Sequence, residues 1–502
     1  MTINSTHPSY DSLVNHLKEA FSLKSSLSLL QWDAQVNLPP SSGDIRALQL
    51  AALSEVLHHK LTDPKIGKWL DQLESNQESL SFEQSVVIKE TRKTYEHDIK
   101  LSPEFVAKKA AAQSYSYLAW VEARKNSDFK SFIPHLTKQL DFALEEANIV
   151  KSHTNPYDYC IDQYDPHLNV AFIEKHFSEL KKELIPLLVK IINSPIKPDH
   201  TILKGFPIKN QETFVYEVTK KLGFDYDRGR LDRSVHPFCS GNALDLRMTT
   251  RYNENLPLDS LFSSIHETGH GLYEQGLPKE HLGTPLSEAV GMAVHESQSR
   301  FWENQIGRSR AFWHYWEPRY RELFNDQLKN IDSDLLYLTV NTVGRNPIRV
   351  DSDELTYNLH IILRFELEKQ LFDGSLKITD LPDKWNALSE EILGLTPKND
   401  KEGVLQDMHW STGDFGYFPS YCLGNMIAAQ LWFTMIKHLP SLEDNISQGN
   451  FSPLLQWLRT NVHQYGKQYN TRDLVQKITA EPLHSKYLIK YLSDKYLPLY
   501  FK

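Results

Sequence analysis

Two histidines four residues apart with a glutamate after the first, His266-Glu267-Thr-Gly-His270, carry the densest chemistry in the chain. On an α-helix, positions four apart differ by about 40° in direction, so both imidazoles leave the same face. Two neutral imidazoles so placed can share one Zn²⁺, with Glu267 beside them as the base for a metal-bound water. That is the chemistry of a zinc peptidase. The motif alone does not decide it: in a chain with 21 histidines among 502 residues, HExxH arises by chance on the order of 5% of the time.

A catalytic zinc needs a third protein ligand and one open position. The metzincin spacing would put glycine at 273 and histidine at 276, but these positions hold Tyr273 and Gly276. That class is excluded. The better source is Leu286–Ile306, read as a second helix on which Glu296 shares an inward face with Ala289, Met292 and Ala293. A carboxylate there is costly unless metal-bound or paired, and Arg300 is the competing partner. Glu303, seven residues on, is the fallback ligand. Glu274 is disfavoured, because three ligands from one helix fit a tetrahedron poorly. Ser263 and Ser264 read as N-caps of the HExxH helix, with Ile265, Leu272 and Leu277 as its buried contacts. Gly269 and Gly271 each cost roughly 1 kcal/mol of helix propensity relative to Ala, a cost that close backbone packing would explain.

Three further segments hold more reactive groups than a helical core requires. In Ser234–Tyr252, Asp245, Arg247 and Thr249 alternate, which places them on one side of an extended segment. Such a strand could pair with an extended peptide substrate; Asp245 and Arg247 could equally form a structural ion pair. In Asn346–His360, Arg349 could grip a free carboxylate through its planar fork, against a surface salt bridge to Asp351 or Asp353. In Met408–Gly424, His409, Tyr417 and Tyr421 could donate to the oxyanion formed when a peptide carbonyl is attacked, or could merely pack.

The elements that must position these groups are helical. Amphipathic stretches recur at Tyr10–Gln31, Ser81–Lys100, Phe105–Arg124, Phe132–Lys151, Val170–Ile192 and Leu355–Leu371, and strand-like runs are few. No composition break marks a linker; Ser194–Lys209 and Thr396–Gly403 are the best boundary candidates. The chain reads as one continuous core, with two lobes around a cleft as an option. Net charge is −9 with no clustered basic stripe, so nucleic-acid binding has no electrostatic support. No apolar run approaches the roughly 20 residues needed to span a bilayer, and the first residues lack an export signal. Cys160, Cys239 and Cys422 are scattered, which suits a reducing compartment, and the chain is read as soluble and cytoplasmic.

Taken in order, the motifs resemble the carboxypeptidase Taq family of zinc metallocarboxypeptidases. HPF stands at His236–Phe238, DxRxT at Asp245–Thr249, HExxH at His266–His270, HESQ at His295–Gln298 and IRxxSD at Ile348–Asp353. The stretches Leu29–Pro40, WSTGDFGYFPSYCLGN and Phe451–Arg459 extend the likeness over nearly the whole chain. The resemblance implies an all-α fold with a very small β element, two lobes built from interleaved segments of a single domain, and a deep groove, similar to angiotensin-converting enzyme and neurolysin. It implies a homodimer with one divalent metal per chain, Zn²⁺ or functionally Co²⁺. The activity it implies is broad removal of C-terminal residues from peptides with free C-termini, generally sparing bonds beside proline.

By the same resemblance, His266, His270 and Glu296 are ligands and Glu267 is the base. Arg349 binds the substrate's terminal carboxylate, and the DxRxT segment, with His236 nearby, limits how far substrate extends past the metal. Tyr421 or His409 is the oxyanion donor, with Tyr417 lining the groove; Asp245, Glu303 and His295 are candidates to orient the ligands. Ala480 stands where glycine is common. Two other readings compete: an oligopeptidase that cuts internally with the same chemistry, and a helical scaffold that has lost catalysis. The sequence has lost neither ligand nor base.

Overall fold

The computed structural model describes residues 8–501 apart from 77, 79 and 199. All six amphipathic stretches are helices, at Pro8–Val36, Phe82–Asp98, Pro103–Asn126, Phe129–Val150, Val170–Ile192 and Thr356–Phe372. Their starts follow local signals. Ser81 and Gln84 form a reciprocal capping box, and Ser102 accepts from the Phe105 amide with Pro103 in the first turn. Asp128 and Asn169 cap the next two. Each cap satisfies amides that the helix itself leaves without partners.

Among the described residues, extended structure is confined to β1 (Gly229–Arg233), β2 (Phe238–Asn242) and β3 (Asp245–Thr250). Strand β3 is central, parallel to β1 and antiparallel to β2, so Arg247 stands between Arg230 and Ser240. Its inward residues Leu246 and Met248 pack with Phe224, behind the HExxH helix. The main apolar core runs as one cluster from Ala123 to Tyr500. Ser194–Lys209 and Thr396–Gly403 are largely loops, and core residues lie on both sides of each. A small separate cluster of Leu13, Ile66, Leu70, Leu73 and Ile88 knits the N-terminal helices together.

Two local expectations are corrected. The HExxH helix spans Pro257–Glu274, so it starts nearly two turns before Ser263 and Ser264, which lie inside it. Proline suits the first helical turn because its missing amide would have no partner there, and Leu258, Leu261 and Phe262 continue the apolar face. The segment Leu286–Ile306 is not one helix. A short turn at Pro285–Ser287 precedes an α-helix at Met292–Arg300, which widens into a π-helix at Phe301–Gly307. All seven π residues are buried. Such widenings cost hydrogen-bond geometry and collect at functional sites.

Ala480 ends the helix Thr471–Thr479 with φ 60°, in the left-handed region. A side chain is strained there and glycine is not. Ala480→Gly should therefore stabilise the protein by about 0.5–1 kcal/mol, checked by denaturant unfolding; no change or a loss would refute the strain.

Candidate active site

The site begins with two glycines that let three helices touch. A Cβ at Gly269 would lie 2.5 Å from Ser299 Cα and 2.6 Å from the Gln298 carbonyl oxygen, so the HExxH helix and the Met292–Arg300 helix cross backbone to backbone. A Cβ at Gly424, on the helix Phe418–His438, would lie 2.7 Å from Glu296 Cγ. Glu296 is thereby wedged between the two other helices. Gly271 serves the far face, where a Cβ would meet Phe224 at 2.9 Å and Leu246 at 3.0 Å. The propensity cost of these glycines is exchanged for interhelical contact.

Because of this packing, ligand atoms of His266, His270 and Glu296 fall within 4.8 Å of one another. Glu296 Oε2 sits 3.5 Å from His266 Nε2 and 3.4 Å from His270 Nε2. A charge-assisted hydrogen bond would be about 2.7–2.9 Å; these atoms face a common point at a spacing that suits an ion among them. The donor set, two imidazoles and one carboxylate, fits a divalent metal such as zinc. The imidazoles are prepared for it. His266 Nδ1 donates to Glu303 Oε2 at 2.9 Å, which leaves Nε2 with its lone pair. Burial, followed by the neighbouring His295, pushes His270 down to about 3, so it is neutral.

Glu296 meets Arg300 and the two imidazoles with different oxygens. Oε1 accepts from Arg300 Nε at 2.7 Å, while Oε2 faces the imidazoles. Burial opposes ionisation, yet Arg300 and His266 outweigh it and hold Glu296 well below the usual carboxylate range. Glu303 accepts from His266 and stands outside the His266–His270–Glu296 cluster, and it also meets Arg300 and Arg308 at 3.2 Å each. Glu274 accepts from His295 Nε2 at 2.9 Å. His295 stacks on His270, ring centroids 4.4 Å apart, and makes no hydrogen bond to it.

Glu267 differs from every other carboxylate here. It is 7% exposed, and among the described residues its carboxylate accepts no hydrogen bond and joins no ion pair. Burial pushes it up to about 7. An unpartnered buried carboxylate beside three converging donor groups is an arrangement suited to a general base.

Arg349 is 5% exposed, and its partner is neither Asp351 nor Asp353. Nε and Nη2 donate to Asp407 Oδ1 at 2.9 and 2.8 Å, and Nη1 donates to the Tyr357 hydroxyl at 2.9 Å. The other Asp407 oxygen takes Arg364 Nε at 2.7 Å. Two guanidiniums share one carboxylate, so the trio carries positive charge in excess. Of the five N–H donors of a guanidinium, three are used, and the two remaining lie on Nη1 and Nη2. Asp353 instead caps the helix that begins at Thr356, accepting from the Leu355 and Thr356 amides. Asp407 and Arg364 were not among the sequence candidates; nothing in their spacing links them to position 349.

The three aromatic candidates form one cluster, and Tyr421 is its member beside Arg349. The Tyr421 ring lies 5.2 Å from its guanidinium carbon, and the Tyr421 hydroxyl meets His409 Nε2 at 3.3 Å. Tyr417 packs edge-on against Tyr421, centroids 5.2 Å apart. Tyr421 lies one turn before Gly424, which fixes its helix on Glu296. Burial, then Arg349, pushes His409 down to about 3, so it is neutral; burial, then Tyr417, keeps Tyr421 protonated.

The sheet residues divide. Arg247 Nε and Nη2 donate to Asp245 at 3.0 and 3.1 Å, a bidentate ion pair. Arg247 and Arg230 both lie over the Trp32 ring, at 4.3 and 4.9 Å, which fastens the first helix to the sheet. A cavity of about 180 Å³ opens there between Ser25, Leu29, Asn242, Asp245 and Arg247. Thr249 does not share it. Its hydroxyl is fully buried and accepts from the Phe238 amide at 3.0 Å, so it holds the β1–β2 connection in which His236 lies exposed.

A model of the carboxypeptidase Taq (M32) metallopeptidase family matches residues 12–496. The chain is 39% identical over 505 aligned residues to thermostable carboxypeptidase 1 of Thermus thermophilus, covering 98% of this chain and 99% of that protein. It is 38% identical over 489 residues to carboxypeptidase 1 of Bacillus subtilis, covering 97% and 96%. The crystal structure of an M32 carboxypeptidase from Deinococcus radiodurans superposes with a TM-score of 0.95 at 38% identity, covering 98% of this chain and 99% of that one.

Proposed function

Since the chain belongs to the carboxypeptidase Taq (M32) family and is a metallocarboxypeptidase, we propose that it releases residues of broad type from free C-termini, with Glu267 moving the proton. The single observation that carries the mechanism is the unpartnered, nearly closed Glu267 carboxylate beside His266, His270 and Glu296. These three residues would hold the metal, read as Zn²⁺ with Co²⁺ able to replace it. A bound zinc would polarise the scissile carbonyl and lower the pKa of water from 15.7 toward about 7. Glu267 takes the proton from the attacking water and returns it to the departing amide nitrogen. Tyr421, its hydroxyl protonated and its helix fixed against Glu296, donates to the oxygen of the carbonyl under attack, with His409 the alternative donor.

The free donors on Arg349 receive the substrate's terminal carboxylate, and Asp407 and Arg364 hold that guanidinium in place. The groove lies between two lobes; Asp245 and Arg247 line its far end under the first helix, with His236 at its margin. This reading favours exopeptidase over internal cleavage, because an internal cutter needs no buried cationic receptor. Arg349→Ala should lower kcat/KM on a free peptide by roughly 10²-fold. The test follows one unblocked peptide and its C-terminally amidated twin by mass spectrometry, with and without chelator. A ladder from the free C-terminus only, lost with chelator, is expected. Equal turnover of both peptides by the wild type would remove the carboxylate receptor from the account.

The same reading places the enzyme in the cytoplasm as a homodimer. Three free cysteines support a reducing compartment. The helix Gly43–Leu61 buries none of its residues and exposes Ile45, Leu48 and Val56, a face available to a second copy. Among the described residues, no helix is long and apolar enough to cross a membrane.

A further inference from the structure

The helix that supplies Glu296 starts without a cap of its own. Its N-cap is Gly291, which has no side chain to accept from the first amides. The missing acceptor comes from another part of the chain. Asp165, at the end of the helix Pro156–Tyr164, is 2% exposed, and its Oδ1 accepts the Ala293 amide at 2.8 Å. Its other oxygen accepts the Ser420 hydroxyl at 2.6 Å. Ser420 immediately precedes Tyr421 on the helix that presses on Glu296 at Gly424. Gly291 is required by this arrangement, since a Cβ there would lie 2.8 Å from Asp165 Oδ1.

Among the described residues, Asp165 joins no ion pair. Burying a carboxylate without a counter-ion is costly unless donors surround it. The donors here include the start of the ligand helix, with its partial positive charge, and Ser420 on the helix Phe418–His438, with the Thr471 hydroxyl also beside the carboxylate. One carboxylate thus ties together two helices whose separation sets how far Tyr421 stands from Glu296. We propose that Asp165 is a positioning residue, fixing the ligand helix against the helix of the oxyanion donor. The proposal rests on Glu296 as a ligand and Tyr421 as the donor.

Asp165→Asn keeps one acceptor for Ala293 and lets Ser420 reverse its hydroxyl, so the fold is retained while the tether loosens. Zinc affinity of the stripped full-length protein, titrated against a chromophoric chelator, should fall about 10-fold, the lower end for groups that orient ligands. On a free peptide, kcat should fall by a similar factor with KM within about 2-fold. Ser420→Ala frees only the Tyr421 side, and should lower kcat with zinc affinity unchanged. If Asp165→Asn does not fold, Ser420→Ala decides the matter by itself. A merely structural role predicts lower thermal stability with zinc affinity and kcat as in the wild type, and that result overturns the proposal, as does a Ser420→Ala enzyme with wild-type kcat. Glu296→Ala and Tyr421→Phe run alongside. If these leave zinc affinity and kcat untouched, the site assignment has failed; if they lower them and the Asp165 and Ser420 variants do not, only the tether has failed.

Discussion

Glu267→Gln should lower kcat by about 10²–10⁴-fold, the usual contribution of a general base, while the protein keeps its metal. The amide matches the carboxylate in shape, so His266, His270 and Glu296 keep their convergence, and the wedge at Gly424 is untouched. What disappears is the one buried carboxylate without a partner among the described residues, which burial holds at about 7 and therefore suits for both taking and returning a proton near neutrality. Equal zinc content by atomic emission, with peptide release followed by mass spectrometry, separates loss of the base from loss of the metal. An enzyme that turns over at the wild-type rate with glutamine at 267 would end the assignment.

Gly269→Ala should cost about 3 kcal/mol or more, beyond what most single substitutions do. The added methyl would stand 2.5 Å from Ser299 Cα and 2.6 Å from the Gln298 carbonyl oxygen. Backbone cannot rotate away as a side chain can, so the HExxH helix and the Glu296 helix must separate, and the cluster of His266, His270 and Glu296 opens with them. Helix propensity alone predicts the opposite sign, a gain of about 1 kcal/mol, so the measurement discriminates cleanly. Denaturant unfolding of the stripped protein reads the stability term, and zinc titration reads the geometry. Gly344→Ala is the control, because a Cβ there meets nothing within 4 Å. A Gly269→Ala protein of unchanged stability would show that the crossing has slack.

Much of this site is written locally. The four-residue spacing of His266 and His270 puts both imidazoles on one helical face wherever the helix goes. The alternation of Asp245 and Arg247 against Leu246 and Met248 separates one face of β3 from the other, and burial follows it as far as Thr249, which is buried as well. Even the glycines at 269 and 271 announced close packing, since they oppose the helix they sit in. Where local signals misled, a stronger one competed. Pro257 started the helix ahead of Ser263, and the π-helix interrupted a period that counting in steps of 3.6 assumes is constant.

Fold class and the candidate donor set were thus legible in the sequence itself, because backbone periodicity and the four-residue histidine spacing act over a few residues. The tertiary structure alone decided which groups complete them. Asp407 reaches Arg349 across 58 positions, and Asp165 reaches Ala293 across 128. Nothing in the spacing of such residues distinguishes a partner from a bystander. A buried charge needs some acceptor or donor, but which one it meets depends on how the helices stack, and that is set by the whole core at once.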